Sequence, residues 1–154
     1  MPARYVAVAG SGVAPPADIE AAEAVGRLLA ERGIVVVCGG LGGVMEAACR
    51  GARSAGGVTL GILPTLDRAD ANPFVDIAVA TGLGEARNAL VVRAADALVA
   101  VGGEWGTLSE IALAMRAGKR VVGLGTWELS RAGQQVEGIA RASDADEAAA
   151  LALR

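Results

Sequence analysis

Two kinds of apolar run alternate along the chain. Short continuous runs rich in Val, Ile and Ala read as strands: Tyr5 to Ala9, Ile34 to Cys38, Val58 to Leu63, Val75 to Ala80, Asp96 to Val101 and Arg120 to Leu124, with a last one over Val136 to Ala142. Longer Ala- and Leu-rich stretches between them read as helices over Asp18 to Arg32, Gly43 to Ser54, Gly84 to Ala95 and Thr107 to Ala117. Pro15 and Pro16 stand before the first helix, and Gly33 and Gly118 stop the first and fourth. Ser143 and Asp144 cap a C-terminal Ala/Leu helix. The segments Thr65 to Pro73 and Gly125 to Gln135 read as surface loops.

Strands that are apolar on both sides belong in a parallel sheet covered on both faces. The alternation therefore predicts an α/β fold: a Rossmann-like, doubly wound parallel sheet of about six to seven strands, with helices on both faces and one domain over residues 1–154. Such sheets bind ligands in the crevice beyond the strand C-termini. Glycine clusters sit at those ends: Gly10-Ser11-Gly12 after the first strand, Gly39-Gly40-Leu41-Gly42-Gly43 after the second, and Gly102-Gly103 after the fifth.

Composition narrows the chemistry. Histidine is absent among 154 residues, which removes His ligands and every scheme with a His base. Lysine occurs once, at Lys119, so any Schiff-base role would rest on it alone. A net charge of −3 argues against a nucleic-acid footprint. Cys38 and Cys49 lack CxxC spacing and fit small buried apolar groups in a reduced cytoplasm. The stretch Ala89 to Val101, broken by Arg93 and Asp96, is too short to span a membrane, and no signal peptide is evident. The expected location is cytoplasmic, with no membrane partner. No metal site and no resident cofactor are expected.

Two phosphate motifs fail. GxGxxG breaks because Pro15 follows Gly10 and Gly12 where the third Gly belongs, and Met45 follows Gly40 and Gly42. The P-loop lacks its Lys. What remains is glycine loops feeding helix starts, which can hold a phosphate on backbone N–H groups. Gly102-Gly103-Glu104-Trp105-Gly106-Thr107-Leu108-Ser109-Glu110 is the richest of them. Thr107 can donate to a phosphate oxygen, with Glu110 one turn further in. Thr107-x-x-Glu110 also fits a capping box that needs only helix stability. Arg87 and Asn88 follow the Thr81 to Gly84 turn; an Arg near a helix start opposes the helix dipole unless an anion pairs with it, and otherwise it is a surface arginine. Glu46 is a candidate ligand group or a first-turn carboxylate. Ser11 is a phosphate donor or a turn residue. Trp105 stacks on a base or plugs the sheet end.

Together these residues resemble the LOG family, phosphoribohydrolases often misnamed lysine decarboxylases, from Val6 to about Val122. The resemblance runs through Ala9-Gly10-Ser11, Arg32 to Gly40, Gly43-Val44-Met45-Glu46 and Ala55 to Pro64. The family pattern is an Arg-Lys pair, an Asp nine residues after the Arg, and a PGGxGTxxE loop. Arg87 and Asp96 keep that spacing, and Gly106-Thr107-Leu108-Ser109-Glu110 matches the loop's end. The resemblance implies a Rossmann-like homodimer that cleaves the N-glycosidic bond of nucleoside monophosphates, releasing base and ribose phosphate. Arg87 and Glu110 would be the catalytic pair, with Gly103, Gly106 and Thr107 on the phosphate. Gly10, Ser11, Gly40, Gly43, Met45, Glu46, Asn88, Gly102, Glu104 and Trp105 complete the expected binding set. Lys119 matches no pyridoxal motif, so decarboxylation is not implied.

Gly102 replaces the family's Pro, Glu104 its second loop Gly, and Asn88 its Lys. A carboxylate about 5 Å from a phosphate repels it by about 3 kcal/mol at an effective dielectric near 20. This GGExGT form is similar to a branch of the superfamily that includes molybdenum-cofactor carrier-like proteins. That likeness implies the alternative function, a binder of a phosphorylated nucleotide or pterin that does not cleave it.

Overall fold

The computed structural model describes residues 4–154. Seven parallel strands form the sheet: β1 (Tyr5–Gly10), β2 (Val35–Cys38), β3 (Thr59–Leu63), β4 (Ile77–Ala80), β5 (Ala97–Val101), β6 (Arg120–Leu124) and, after a small hairpin, β9 (Ile139–Arg141). The hairpin strands are β7 (Ser130–Arg131) and β8 (Gln134–Gln135). Sheet order is β4-β3-β2-β1-β5-β6-β9. The chain walks outward from β1 to β4, then returns to β5 and walks the other way. The reversal lies between β1 and β5, where Gly10 pairs with Val101. Their two C-terminal loops therefore leave the sheet side by side and open a crevice there.

Helices cover both faces, as the apolar strands require. On one side α1 (Pro16–Glu31), α2 (Val44–Ser54) and α5 (Ala145–Ala152) pack through Val25, Leu29, Ala48 and Ala149 onto Val6, Val8, Val36 and Val99. On the other, α3 (Arg87–Ala94) and α4 (Trp105–Arg116) pack through Val91, Val92, Ile111 and Ala114 onto Ala7, Val37, Leu98 and Val121. Every residue of β5 is buried, whereas the edge strand β4 leaves Ile77 and Val79 half-exposed. Cys38 and Cys49 are buried free thiols, with their Sγ atoms 3.4 Å apart.

Local chemistry sets the boundaries. Pro15 is the N-cap of α1 and Pro16 its first residue, so the prolines begin the helix instead of preceding it. The helix expected from Gly84 starts as a 3₁₀ turn, Gly84–Ala86, and becomes α-helical only at Arg87. The Gly125 to Gln135 loop contains the hairpin, with Ala132 (φ 53°) and Gly133 (φ 80°) at its tip. The capping box expected at the fourth helix does not form: α4 starts at Trp105, its N-cap Glu104 makes no side-chain cap bond, and Thr107 lies inside the first turn. At α5 the expected cap does form. Asp144 accepts from the Glu147 N–H (2.8 Å), and Glu147 accepts in return from the Ser143 N–H (2.7 Å).

Candidate functional site

The crevice at the β1/β5 reversal holds a cavity of about 410 Å³. That falls in the range of small-molecule sites. Three backbone segments frame it: Gly10-Ser11-Gly12 after β1, Glu104 with Gly106 and Thr107 at the start of α4, and Gly84-Glu85 leading into α3. Leu41, Met45 and Pro64 supply an apolar wall.

Close backbone approaches fix this frame. Gly43 (φ 64°) caps α2 directly against the backbone of Ser11 and Gly12, where a Cβ would collide. Val44 then donates its N–H to the Ser11 carbonyl (3.0 Å). Gly103 (φ 100°) lies against the Thr107 side chain, again with no space for a Cβ. Both positions need glycine for conformation and for room.

Among the described residues, four polar side chains are buried: Thr59, Asn88, Thr107 and Glu110. Thr59 is satisfied, since its hydroxyl donates to the Phe74 carbonyl (2.6 Å) and its N–H to Asp76 (2.9 Å). The other three line the cavity, and their side chains make no hydrogen bond to a described residue. Their polar atoms open into the cavity instead of being sealed against protein, so all three are available to a ligand there. The first-turn N–H groups of α4 add further donors, because no side chain caps them.

Glu110 is only 8% exposed. Burial pushes its pKa up to about 7, against the opposing pull of the Arg87 guanidinium. It therefore carries a proton part of the time near neutrality.

Arg87 is half-buried rather than a free surface arginine. Its Nη1 donates to the Gly39 carbonyl and to the Ile62 carbonyl (2.8 Å), tying together the ends of β2 and β3. Its Nε is buried without a partner. Burial lowers its pKa, and the Glu110 charge opposes that.

Of the residues expected from sequence, the cavity brings together Arg87, Glu110, Gly10, Ser11, Met45, Asn88, Glu104, Gly106 and Thr107. Gly40, Gly43, Glu46, Gly102, Gly103 and Trp105 stand outside its lining. Gly40 is a turn residue whose carbonyl accepts from Asn72 N–H (2.9 Å). Trp105 is 73% exposed and packs on Trp127, with ring centroids 5.0 Å apart, so it does not plug the crevice. Trp127 donates through Nε1 to the Glu104 carbonyl (3.1 Å). Ser11 belongs to both of its readings: it lines the cavity, and its Oγ closes a local turn by donating to the Val13 carbonyl (2.6 Å). Asp96, which keeps the family spacing, sits at the other end of the sheet and accepts from Tyr5 N–H (2.8 Å). Lys119 is likewise structural, donating to the Val92 (2.8 Å), Arg93 (3.0 Å) and Ala95 carbonyls at the end of α3. Glu85, Gly12, Leu41, Pro64 and Gly84 also line the cavity. No motif spacing singled them out, although Gly12, Leu41 and Pro64 lie in glycine-rich or strand-end segments.

Comparison with known proteins agrees with this fold. The SLOG cluster4 family matches residues 3–150. The chain belongs to that family. Within the LOG-like superfamily it lies in the branch related to molybdenum cofactor carriers. An uncharacterized protein of Archaeoglobus fulgidus is 48% identical over 119 residues, which cover 77% of this chain and 78% of that one. Among solved structures, the molybdenum cofactor binding protein of Rippkaea orientalis is 34% identical with a TM-score of 0.88, covering 98% of this chain and 96% of that one. The Moco carrier protein of Chlamydomonas reinhardtii is 36% identical with a TM-score of 0.84, over 97% of this chain and 94% of that one.

Among the described residues, no helix is long and apolar enough to cross a membrane, and no group of His, Cys, Asp or Glu is arranged to hold a metal.

Proposed function

We propose that this SLOG cluster4 protein binds a phosphorylated heterocycle, a nucleoside monophosphate or a pterin-type cofactor, and holds it without cleaving it. The observation that carries this is the set of three largely buried side chains, Asn88, Thr107 and Glu110, whose polar atoms are left free to meet a ligand in one cavity. In this reading the phosphate docks on Gly106 and Thr107, against the uncapped start of α4. The ring lies on Leu41, Met45 and Pro64.

Holding without cleavage follows from what the polar groups are free to do. Glycosidic cleavage needs an ionised carboxylate beside the sugar and a cation or donor to manage developing charge. Arg87 is already committed to two backbone carbonyls, and Asn88 stands where the LOG pattern has Lys. The descriptions of the Rippkaea and Chlamydomonas proteins as cofactor binder and carrier support the same reading. A homodimer in the reduced cytoplasm is part of the proposal.

One observation favours the hydrolase as a second reading. Glu110, with its pKa near 7 and a guanidinium close by, is poised as a general acid or base. The two readings part in a single experiment: titrating the protein with GMP and AMP calorimetrically, then assaying the same mixtures for free base. Saturable binding with the nucleotide intact after hours is expected. Release of base that disappears in Glu110→Gln would establish the hydrolase instead.

A further inference from the structure

We propose that Glu85 reads the ring edge of the bound heterocycle and favours one with a ring N–H beside an amino group, the edge shared by guanine and the pterins, over the adenine edge. This rests on the crevice being the site of a phosphorylated heterocycle, and it adds which heterocycle.

The sheet order sets the length of the crevice. Thr107 follows β5 and Pro64 follows β3, with β1 and β2 between them. Three strand spacings of about 4.8 Å give about 14 Å, roughly the reach from a nucleotide's phosphate to the far edge of its base. With the phosphate on α4, that far edge arrives beyond β3. Glu85 is placed there, because Gly84 donates its N–H to the Pro64 carbonyl (3.0 Å) and so binds the 3₁₀ turn to the apolar wall. Glu85 is exposed on this turn, lines the cavity, and makes no side-chain hydrogen bond or ion pair with another described residue.

A carboxylate offers two acceptors side by side and no donor. The guanine or pterin edge presents two parallel N–H donors, which match both oxygens. The adenine edge presents one amino donor beside a ring nitrogen lone pair, which would face the second carboxylate oxygen and repel it. Hypoxanthine has the ring N–H without the amino group and stands between them.

The test is calorimetric titration of the full chain with GMP, IMP and AMP, repeated with Glu85→Gln, whose fold is checked by its melting curve. GMP should bind about tenfold more tightly than AMP, with IMP between, the size expected of a charge-assisted hydrogen bond at a partly solvated position. In Glu85→Gln the ratio of GMP to AMP affinity should fall towards one. Equal or tighter binding of AMP to the wild type, or an unchanged ratio in the variant, would overturn the role of Glu85 while leaving the site intact. Failure of all three nucleotides to bind would overturn the nucleotide form of the underlying reading, and this inference with it.

Discussion

The Glu110 carboxyl holds its proton more tightly than an exposed carboxyl does, because burial outweighs the pull of the Arg87 guanidinium. Its spacing from Thr107 suggested a helix cap; the structure instead buries it beside the cavity without a partner. Local spacing cannot tell these apart, because desolvation is set by residues from other elements. The consequence is measurable. The folded pKa of about 7 lies above the ordinary 4.5, so the folded state binds more protons between those values and loses stability as pH rises through them. Above about pH 7 the penalty is fully present, on the order of a few kcal/mol. Glu110→Gln removes it. Thermal melts should show the variant more stable than wild type above neutrality, with the gap closing below about pH 4. A gap that does not vary with pH would contradict the account. Arg87 makes the complementary case. Replacing it with Ala strands the Gly39 and Ile62 carbonyls and should cost about 3 kcal/mol in urea unfolding, given the usual worth of hydrogen bonds to charged groups. A midpoint within error of wild type would show that this residue serves only the ligand.

At the scale of elements, the sequence carried the strands and most helices because each has a strong apolar run and a glycine or proline at its border. The misreadings share a cause. Where α4 begins depends on the Gly102-Gly103 turn (φ 52° and 100°), which brings Trp105 and Gly106 into the helix ahead of the apparent Thr cap. Glu85 escaped notice because its place comes from a hydrogen bond between the 3₁₀ turn and Pro64, a contact with no motif. The role given to Gly103 can be checked directly. Gly103→Ala places a methyl group on Thr107 and should weaken nucleotide binding by tenfold or more, since it displaces the hydroxyl on which the phosphate is proposed to dock. Calorimetry on a variant confirmed as folded decides this, and undiminished affinity would remove Thr107 from the site.

For the molecule as a whole, the decisive feature is topological: the chain reverses direction across the sheet between β1 and β5, and the cavity opens at that seam and extends towards β3. The glycine clusters at strand ends made the seam legible. Its electrostatic character was not, because it depends on a guanidinium drawn down to backbone carbonyls and on carboxylates brought from two separate segments. One consequence concerns pH. An anion docking beside Glu110 stabilises its protonated form, so binding should take up protons and weaken as pH rises past about 7. Titrations in buffers of different ionisation enthalpy would reveal that uptake, and their agreement would deny it. The most direct measurement is a crystal of the protein soaked with GMP. The account predicts an intact nucleotide in the crevice, its phosphate against Gly106 and Thr107 and its ring on Leu41, Met45 and Pro64. An empty crevice, or a nucleotide bound elsewhere on the surface, would contradict it.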